Sequence, residues 1–385
     1  MKSHFLLNPE ITYLNHGSFG ACPKPIFEDY QKWQLELERE PVQFITKNAA
    51  TYLKQSKAAL ANFIGCEAED FFFTPNPTAA INTIMRSLKL NPGDEILATN
   101  HEYGAMDKTW NFYSKQTGAK YIRQKISIPV ISKEQLLEEF WNGYNENTNV
   151  IFINQISSAT ALIFPVKEIC DKARELGLIT IVDGAHVPGH IDLNISALNP
   201  DFYTGTAHKW MLAPKGSSFL YVKKEFQKML DPLVVSWGYD SEFPGQSPFL
   251  DYHEQQGTRD ISAFLTIPVA LKFFEDQDWK TKTADSKELI LSNYESFCEL
   301  LNTKPICPVI SEFLGQMCSI PIQTEKPFEL KELLFEKYKI EIPVMKIENH
   351  TFIRISLNGY NLPSDLEVLR SALKDIIATT DLLKV

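Results

Sequence analysis

The sequence lacks the patterns that mark several large classes of protein. Its first fourteen residues are interrupted by charged residues and a proline, so they offer no continuous apolar run for a signal peptide or membrane anchor. The formal net charge of -10, without any basic run, argues against a nucleic-acid surface. We therefore expect a cytoplasmic protein that binds neither a membrane nor nucleic acid.

Cysteine is scarce and scattered. The cysteines show neither a Cys-x-x-Cys pair nor histidines at zinc-site intervals. Without a secretory signal, free buried thiols are expected in place of disulfides, and no metal site is predicted. The six residues are Cys22, Cys66, Cys170, Cys298, Cys307 and Cys318.

Glycine-rich nucleotide motifs are also missing. The chain has no Gly-x-Gly-x-x-Gly fingerprint and no Gly-Lys-Ser/Thr loop, which makes nucleotide cofactors poor candidates. The Gly-x-Ser-x-Gly elbow of an α/β hydrolase is absent as well, because Gly216-Ser217-Ser218-Phe219 does not supply one.

Short apolar runs do alternate with helical patterns, which predicts an α/β domain with a mainly parallel sheet. The run Ile179-Thr180-Ile181-Val182 is apolar and β-branched, as buried parallel strands are. Strands are predicted at 71–74, 95–99, 120–123, 150–154, 179–183, 202–206 and 219–222, with helices at 79–88, 133–141 and 166–176.

The pattern changes after residue 222. Residues 235–260 are rich in Gly, Pro, Ser and aromatic residues with little periodicity, which predicts a long functional loop. Beyond Ile261, helices are predicted near 286–301, 328–338 and 364–378, and strands near 316–321 and 351–356. We predict an amino-terminal segment (1–20) that contributes to the active site, a large α/β domain (21–260), and a linking helix with a small α+β domain (261–385).

Lys209 stands between a histidine and a tryptophan, just after a predicted strand, in Thr204-Gly205-Thr206-Ala207-His208-Lys209-Trp210. Only a neutral lysine amine forms an imine with an aldehyde, and apolar neighbours such as Met211 favour the neutral form. An isolated lysine is usually a solvated surface residue, so this interpretation depends on the residues around it.

Asp183 ends the strand before that lysine, in Val182-Asp183-Gly184-Ala185-His186. A carboxylate there would keep a pyridine nitrogen protonated and make the ring an electron sink. The alternative is a helix N-cap, which aspartate also favours. With Lys209 one strand later, the cofactor interpretation is preferred.

Thr78 precedes a helical pattern, in Asn76-Pro77-Thr78-Ala79-Ala80. Its hydroxyl and the first backbone N–H groups, such as that of Ala79, would face a phosphate at the positive end of the helix. A plain N-cap by Thr78 is compatible with that role. A phosphate site, a carboxylate and an amine in this order along the chain predict pyridoxal 5'-phosphate as the cofactor.

An aromatic side chain is expected against the face of the cofactor ring. Tyr103, in Asn100-His101-Glu102-Tyr103, follows a predicted strand and is preferred, with His101 as the second candidate. A structural tyrosine in the core is the alternative interpretation.

These motifs resemble the class V aminotransferases among the fold-type I pyridoxal phosphate enzymes, and within them the isopenicillin N epimerase-like group. The likeness runs from Tyr13-Leu14-Asn15-His16-Gly17-Ser18-Phe19-Gly20 to Arg354-Ile355-Ser356. Its most specific pieces are Asp183-Gly184-Ala185-His186, His208-Lys209, Trp237-Gly238 and Gln256-Gly257-Thr258-Arg259-Asp260.

The resemblance implies the fold-type I transferase fold: a large domain with a mainly parallel seven-stranded sheet and a smaller C-terminal α+β domain. It implies that Lys209 carries the cofactor as a Schiff base and that Asp183 contacts the pyridine nitrogen. The other implied cofactor contacts are His186, Thr78, Ala79, Tyr103, Ser158, Thr206 and His208.

The resemblance also implies a homodimer with shared active sites, in which Thr258 reaches the cofactor phosphate of the partner. Arg354 matches the position that binds the substrate α-carboxylate, where a guanidinium can make two parallel hydrogen bonds. A surface ion pair is the alternative for an isolated arginine. Further candidate substrate contacts are Asn15, His16 and Arg259.

The implied chemistry begins at the α-carbon of an amino acid, with Lys209 as general base and Asp183, His186 and Tyr103 as further catalytic candidates. Epimerisation, transamination and β- or C–S elimination share these residues and stay open. Residues 343–352 hold no cysteine, which disfavours a desulfurase that forms a persulfide. A silent dimeric relative would be expected to have lost Lys209 or Asp183.

Overall fold

The computed structural model describes residues 1–245 and 247–385. The helices are α1 His16–Phe19, α2 Lys24–Arg39, α3 Pro41–Gln43, α4 Ala49–Ile64, α5 Pro77–Ser87, α6 Gly104–Thr117, α7 Lys133–Trp141, α8 Val166–Glu175, α9 Ile195–Leu198, α10 Pro248–Glu254, α11 Ser262–Leu265, α12 Ile267–Asp276, α13 Trp279–Leu300, α14 Pro327–Glu336 and α15 Pro363–Thr379. The strands are β1 Thr12–Tyr13, β2 Phe71–Thr74, β3 Glu95–Thr99, β4 Lys120–Gln124, β5 Thr148–Asn154, β6 Ile179–Gly184, β7 Phe202–Thr206, β8 Ser218–Val222, β9 Met317–Ile322, β10 Ile340–Glu341, β11 Val344–Ile347 and β12 His350–Ser356.

A seven-stranded sheet forms the centre of the molecule, in the order β2-β8-β7-β6-β5-β3-β4. Strand β8 runs antiparallel to both of its neighbours, whereas the other neighbouring strands pair in parallel. Each of the seven predicted strands belongs to this sheet. The predicted α/β class with a mainly parallel sheet is therefore confirmed.

Both faces of the sheet are buried, and β2 shows how. Phe72 packs in a core with Ile96 and Phe152, whereas Phe71 and Phe73 pack in a second core on the other face. Successive side chains of a strand point to opposite faces, so an apolar run such as Phe71-Phe72-Phe73 supplies both cores.

The parallel strands bring distant motifs to one edge of the sheet. Asp183 in β6 pairs with Asn154 in β5 and with Thr204 in β7. These residues lie at the carboxyl ends of their strands, where ligands bind in open α/β sheets. The sheet thus sets Asp183 beside the turn that carries Lys209.

The C-terminal part is α+β, as predicted: β11, β12 and β9 form an antiparallel three-stranded sheet, accompanied by α13, α14 and α15. The amino terminus joins this part through the parallel pair β1-β10 and a bridge from Asn15 to Ser356. This pairing lays residues 14–18 beside β12 and brings them to Arg354. The domain boundaries at residues 20 and 260 stay a prediction.

The predicted loop at 235–260 is wrong in part, because Pro248–Glu254 forms α10. Gln246 of this stretch lies outside the described residues. The helix is short and begins with a proline at its first position, so its periodicity is hard to recognise. Glu254 accepts a hydrogen bond from the buried Lys57 of α4 at 2.6 Å, which joins α10 to α4.

All six cysteines are free; Cys22 and Cys66 are half-buried and the others are buried. None of the helices in the described part of the chain has the length and apolarity needed to cross a membrane. Within residues 1–245 and 247–385, no group of three or more His, Cys, Asp or Glu side chains is arranged to hold a metal ion.

Candidate active site

A cavity of about 170 Å³ lies at the carboxyl edge of the sheet. It brings together most of the predicted site residues, namely Thr78, Tyr103, Ser158, Asp183, His186, Thr206, His208 and Lys209. Its wall also contains Ser18 and Phe19, from the amino-terminal segment that was predicted to contribute to the active site, and unpredicted residues that include Asn76, Met106, Asn154 and Ile156. No sequence pattern marks the unpredicted residues, because the segments that carry them are far apart in the chain and come together only in the folded protein.

Lys209 lies in the turn after β7, and the amino-terminal segment packs against its backbone. His16 Nε2 lies 3.0 Å from the Lys209 carbonyl oxygen. Gly20 has a positive φ of 68°, and a Cβ there would lie 2.8 Å from the Lys209 Cα, so only glycine allows this approach. The turn that presents the lysine is thus held by residues 16–20.

The environment favours the neutral amine. Burial, and to a smaller extent the nearby Arg354 charge, lower the pKa of Lys209 to about 8, although Asp183 acts in the opposite direction. This is the setting that imine chemistry requires of a lysine.

A pH titration of lysine reactivity tests this directly. In the cofactor-free protein, we expect acylation of Lys209 by acetic anhydride to rise with pH and level off above about pH 8. Below that pH the rate should fall about tenfold per unit, because only the unprotonated amine reacts. Peptide mass mapping measures each lysine separately. A midpoint near pH 10.5 would contradict the expectation.

Asp183 is buried, with an exposed fraction of 4%. Its Oδ1 accepts a hydrogen bond from the Ala185 backbone N–H at 2.9 Å. Its other carboxylate oxygen has no hydrogen-bond partner among the residues that the structure describes. Burial raises the pKa of Asp183, whereas the Ala185 N–H and Lys209 lower it.

His186 is buried beside the lysine. Its Nε2 lies 3.2 Å from Lys209 Nζ, and its Nδ1 accepts a hydrogen bond from the Trp210 indole N–H at 3.3 Å. Burial holds the pKa of His186 well below its ordinary value, and the positive charge of Lys209 lowers it further. The ring is therefore neutral.

The amino terminus of α5 faces the cavity through Thr78. The alternative interpretation, in which Thr78 caps this helix, is wrong, because α5 begins at Pro77 and Asn76 is the N-cap. Asn76 Oδ1 accepts from the Ala79 N–H at 2.9 Å. Proline fits the first helical position, since its missing N–H has no helical partner there. Thr78 therefore lies in the first turn.

Thr206 and His208 come just before Lys209 in the chain and line the same cavity. The Thr206 hydroxyl donates to the Ala185 carbonyl at 2.7 Å, and His208 Nδ1 donates to the Ser217 carbonyl at 2.8 Å. Burial lowers the pKa of His208 to about 4, so its ring is neutral and its Nε2 is an acceptor.

The structure distinguishes between Tyr103 and His101, the two candidates for stacking on the cofactor ring. Tyr103 lies at the start of α6, lines the cavity and is half exposed. His101 is buried away from the cavity, where its Nδ1 lies 3.0 Å from Thr160 Oγ1 and its Nε2 lies 3.3 Å from the Ile126 carbonyl. Only Tyr103 is placed to contact a ligand there.

Glu102, between these two residues, is buried, and no role was predicted for it. Its carboxylate accepts from the Thr99 hydroxyl at 2.7 Å and from the Asn154 backbone N–H at 2.9 Å. Burial raises the pKa of Glu102 to about 8, although these hydrogen bonds lower it. Glutamate is mostly exposed in proteins, so nothing in the sequence marked it as an internal link between β3 and β5.

Arg354, on β12, is fully buried and has no carboxylate partner in the described structure, so a surface ion pair does not account for it. It donates to the backbone and hydroxyl oxygens of Ser158, to Asn15 Oδ1 at 3.2 Å and to Ser18 Oγ at 3.0 Å. Burial lowers the pKa of Arg354 to about 10. Arg354 itself does not line the cavity, but its partners Ser18 and Ser158 do.

Besides Arg354, five predicted contacts do not line the cavity wall formed by this chain, namely Asn15, His16, Ala79, Thr258 and Arg259. His16 is buried, with its Nδ1 2.9 Å from the Tyr360 hydroxyl. Arg259 packs over the Phe264 ring at 5.4 Å, and Thr258 is exposed.

The alternatives based on a serine or cysteine nucleophile fail on geometry. Ser217 is buried and donates to the Pro214 carbonyl at 2.6 Å, with no histidine in that bond. Cys318 is buried in β9, and burial holds the pKa of its thiol well above the ordinary value. None of the six cysteines lines the cavity.

The residues of the cavity fit pyridoxal phosphate. An amine whose pKa is lowered to about 8, a carboxylate with one free oxygen and the amino terminus of α5 face the same space. Asn154 Oδ1 is buried without a hydrogen-bond partner in the part of the chain that is described, and its residue also lines the cavity. A ligand with both donor and acceptor groups suits this wall.

The comparisons with known proteins agree with this geometry. The family model described as aminotransferase class-V matches residues 24–369. Isopenicillin N epimerase of Amycolatopsis lactamdurans is 30% identical, over 96% of each chain. A probable chloroplastic L-cysteine desulfhydrase of Arabidopsis thaliana is 26% identical, over 96% of this chain and 84% of that protein.

A solved structure supports the fold. A C-DES variant with glycine covalently linked to its PLP cofactor superposes with a TM-score of 0.82 at 19% identity, over 97% of this chain and 99% of that one. The sheet order agrees with the fold of this structure, and the matched family together with the cavity residues identifies pyridoxal 5'-phosphate as the cofactor. The chain belongs to the class V aminotransferase family, whose pyridoxal phosphate-dependent chemistry it shares.

Proposed function

We propose that the protein acts at the α-carbon of an amino acid and that Lys209 binds the cofactor. The observation that carries this proposal is the convergence of Lys209, Asp183 and the amino terminus of α5 on one cavity. The isopenicillin N epimerase relatives favour epimerisation or transamination as the outcome.

Each part of the cavity has a separate task. When bound, pyridoxal phosphate supplies a ring that stabilises negative charge at the substrate α-carbon. Asp183 would hold a proton on the ring nitrogen through its free carboxylate oxygen. Thr78 and the first N–H groups of α5 would bind the phosphate, with help from Thr206 and His208.

The substrate carboxylate would be bound at the Ser18 and Ser158 side of the cavity. Arg354 contacts both serines, so its positive charge acts on an anion there even though its side chain is buried. Asn15 holds the guanidinium from the other side at 3.2 Å. A carboxylate bound there would leave the α-carbon near Lys209, whose Nζ would remove the α-proton as general base.

The position of Tyr103 is relevant to whether the reaction is an epimerisation. Return of a proton from the side opposite Lys209 inverts the α-carbon and needs a second acid. Tyr103 lines the cavity and carries a hydroxyl, which supports this role. His186, neutral and 3.2 Å from Lys209 Nζ, would assist the lysine rather than act independently.

A second candidate is elimination at the β-carbon, including C–S cleavage. The cysteine desulfhydrase relatives favour it, and the cavity supplies hydroxyl groups from Ser18, Ser158 and Tyr103 near a leaving group. The thiol-free cavity supports a lyase that needs no protein thiol.

We also propose a homodimer in which the partner completes the site. Phe19 and Tyr103 line the cavity yet are 70% and 51% exposed, and Trp237 is 87% exposed. Large exposed aromatic residues beside a cavity are typical of a surface that a partner covers. Thr258 of the partner would then be expected at the phosphate, and sedimentation should give twice the 43.9 kDa mass.

Attachment of the cofactor tests the central proposal. The purified protein should absorb visible light, and borohydride should fix the cofactor to Lys209, as peptide mass mapping would detect. The exposed Lys215, six residues away in the same loop, provides the internal control and should stay unmodified. A colourless protein, or a label on another lysine, would refute the proposal.

A substrate panel separates the outcomes. We expect L- and D-amino acids in deuterated water to exchange the α-proton through Lys209 whichever outcome follows. Retained amino acid of both configurations indicates epimerisation, whereas a 2-oxo acid with the aminated cofactor indicates transamination. Release of a β-substituent with pyruvate would favour the lyase. Absence of α-proton exchange with every substrate would contradict the proposed role of Lys209.

A further inference from the structure

Trp210, the residue after Lys209, has a contact that bears on the lysine. It is fully buried, and its indole N–H donates to His186 Nδ1 at 3.3 Å. The other nitrogen of the same imidazole, Nε2, lies 3.2 Å from Lys209 Nζ. Trp210, His186 and Lys209 therefore form one continuous chain of hydrogen-bonding groups.

The direction of this chain follows from chemistry. An indole N–H can only donate, so His186 Nδ1 must be the acceptor. A neutral imidazole has one donor nitrogen and one acceptor nitrogen, so the proton of His186 belongs on Nε2. That N–H points at Lys209 Nζ, which can accept it only as the unprotonated amine.

We propose that Trp210 is a positioning residue that fixes His186 in the tautomer protonated at Nε2, so that His186 donates to Lys209 and stabilises its neutral amine. The inference rests on the proposed role of Lys209 in binding the cofactor, but the tautomer itself does not depend on catalysis.

The indole is held in place on several sides. His190 stacks on Trp210 with ring centroids 4.0 Å apart, and His16 packs against it at 4.9 Å. His190 is itself fixed, since its Nδ1 donates to the His186 carbonyl and its Nε2 accepts from the Gln316 N–H. The direction of the Trp210 N–H is thus set by packing rather than by the hydrogen bond alone.

The backbone also approaches closely. Gly189 has a φ of 84°, and a Cβ there would lie 2.6 Å from the Trp210 carbonyl oxygen. The segment after Gly184-Ala185-His186 therefore packs directly on the segment that carries Lys209. This contact fixes the position of His186 relative to Trp210.

The charges around the pair are consistent with this arrangement. Two charged groups face Lys209: Arg354 lowers its pKa and Asp183 raises it. The groups that face His186 are Lys209, Arg354, His190 and His16. Burial lowers the pKa of His186, His190 and His16, so these rings are neutral. The neighbouring rings therefore do not protonate His186, and its hydrogen bonds decide which of its two nitrogens carries the proton.

The first test observes the tautomer. In full-length cofactor-free protein labelled with nitrogen-15 in histidine, we expect His186 to carry its proton on Nε2, with the signal assigned by its loss in His186→Asn. The variant Trp210→Phe keeps an aromatic ring but removes the donor, and it should release the preference for this tautomer. Protonation at Nδ1 in the unaltered protein would overturn the proposal, even if Trp210→Phe fails to fold.

The second test measures the lysine. In Trp210→Phe, the pH midpoint of Lys209 acylation by acetic anhydride should rise by about half a unit to one unit, the size of one lost hydrogen bond. Trp110→Phe is the matched control, because Trp110 is also fully buried but its N–H has no partner in the described structure. An equal midpoint in both variants would overturn the proposal, and a loss of labelling at every pH would indicate a structural role only. Borohydride labelling of Lys209 separately tests the proposed function.

Discussion

Substitution of Lys209 by alanine should abolish turnover, with kcat lower by about 1,000-fold or more. The change removes both the amine that would bind the cofactor and the group that would move the α-proton. His186 is too weak a base to replace it, because burial and neighbouring positive charge hold its pKa well below the ordinary value. Stopped-flow measurement of α-proton exchange would compare the rate of α-proton removal in Lys209→Ala with that in the unaltered protein.

The fold should survive this substitution. Burial disfavours the charged lysine, so its removal relieves a desolvation cost, and we expect the melting temperature to change by only a few degrees. Lys215→Ala is the control, since Lys215 is exposed and donates only to the Gly20 carbonyl at 3.1 Å. If Lys209→Ala kept substantial α-proton exchange, the assignment of the general base would be wrong.

Substitution of Asp183 by asparagine should lower kcat by about 100-fold or more while the cofactor still attaches to Lys209. Asparagine keeps the shape and can still accept from the Ala185 N–H, but it carries no charge to hold a proton on the ring nitrogen. The visible absorbance should therefore persist although α-proton removal slows.

Two further measurements separate this electrostatic effect from a folding defect. Asp183 raises the pKa of Lys209, so its neutralisation should move the Lys209 acylation midpoint below that of the unaltered protein. Asp201→Asn is the matched control, because Asp201 is buried and accepts from the Thr180 N–H and hydroxyl outside the cavity. It should reduce stability but leave kcat unchanged. An equal loss of kcat in both variants would argue against the special role of Asp183.

The strands of the central sheet were largely predictable because buried parallel strands are short and apolar on both faces. The runs at Phe71–Thr74 and Phe202–Thr206 agree with the structure residue for residue. Helix α10 was not predicted, because a helix of seven residues shows little periodicity, and the start of α5 was placed two residues late, because its first residue is a proline. The pairing of strands into one sheet order could not be read from any single run.

The site divides in a similar way. Lys209 and Asp183 could be proposed from sequence, because each follows an apolar strand and belongs to a chemically specific motif. Glu102 could not, since a glutamate in this context resembles an ordinary surface residue. Its contact with Asn154, like the contact of Ser18 with Arg354, joins residues that lie far apart in the chain.

The sequence by itself determined the fold class, the family and the cofactor, because local periodicity and short motifs carry that information. Tertiary structure decided which of the named residues face the same cavity, with Tyr103 inside it and His101 outside. It also decided how Arg354, fully buried, acts through Ser18 and Ser158, and how Trp210 bears on Lys209 through His186. The physical reason is that burial, hydrogen-bond direction and pKa depend on neighbours that only the folded chain brings together.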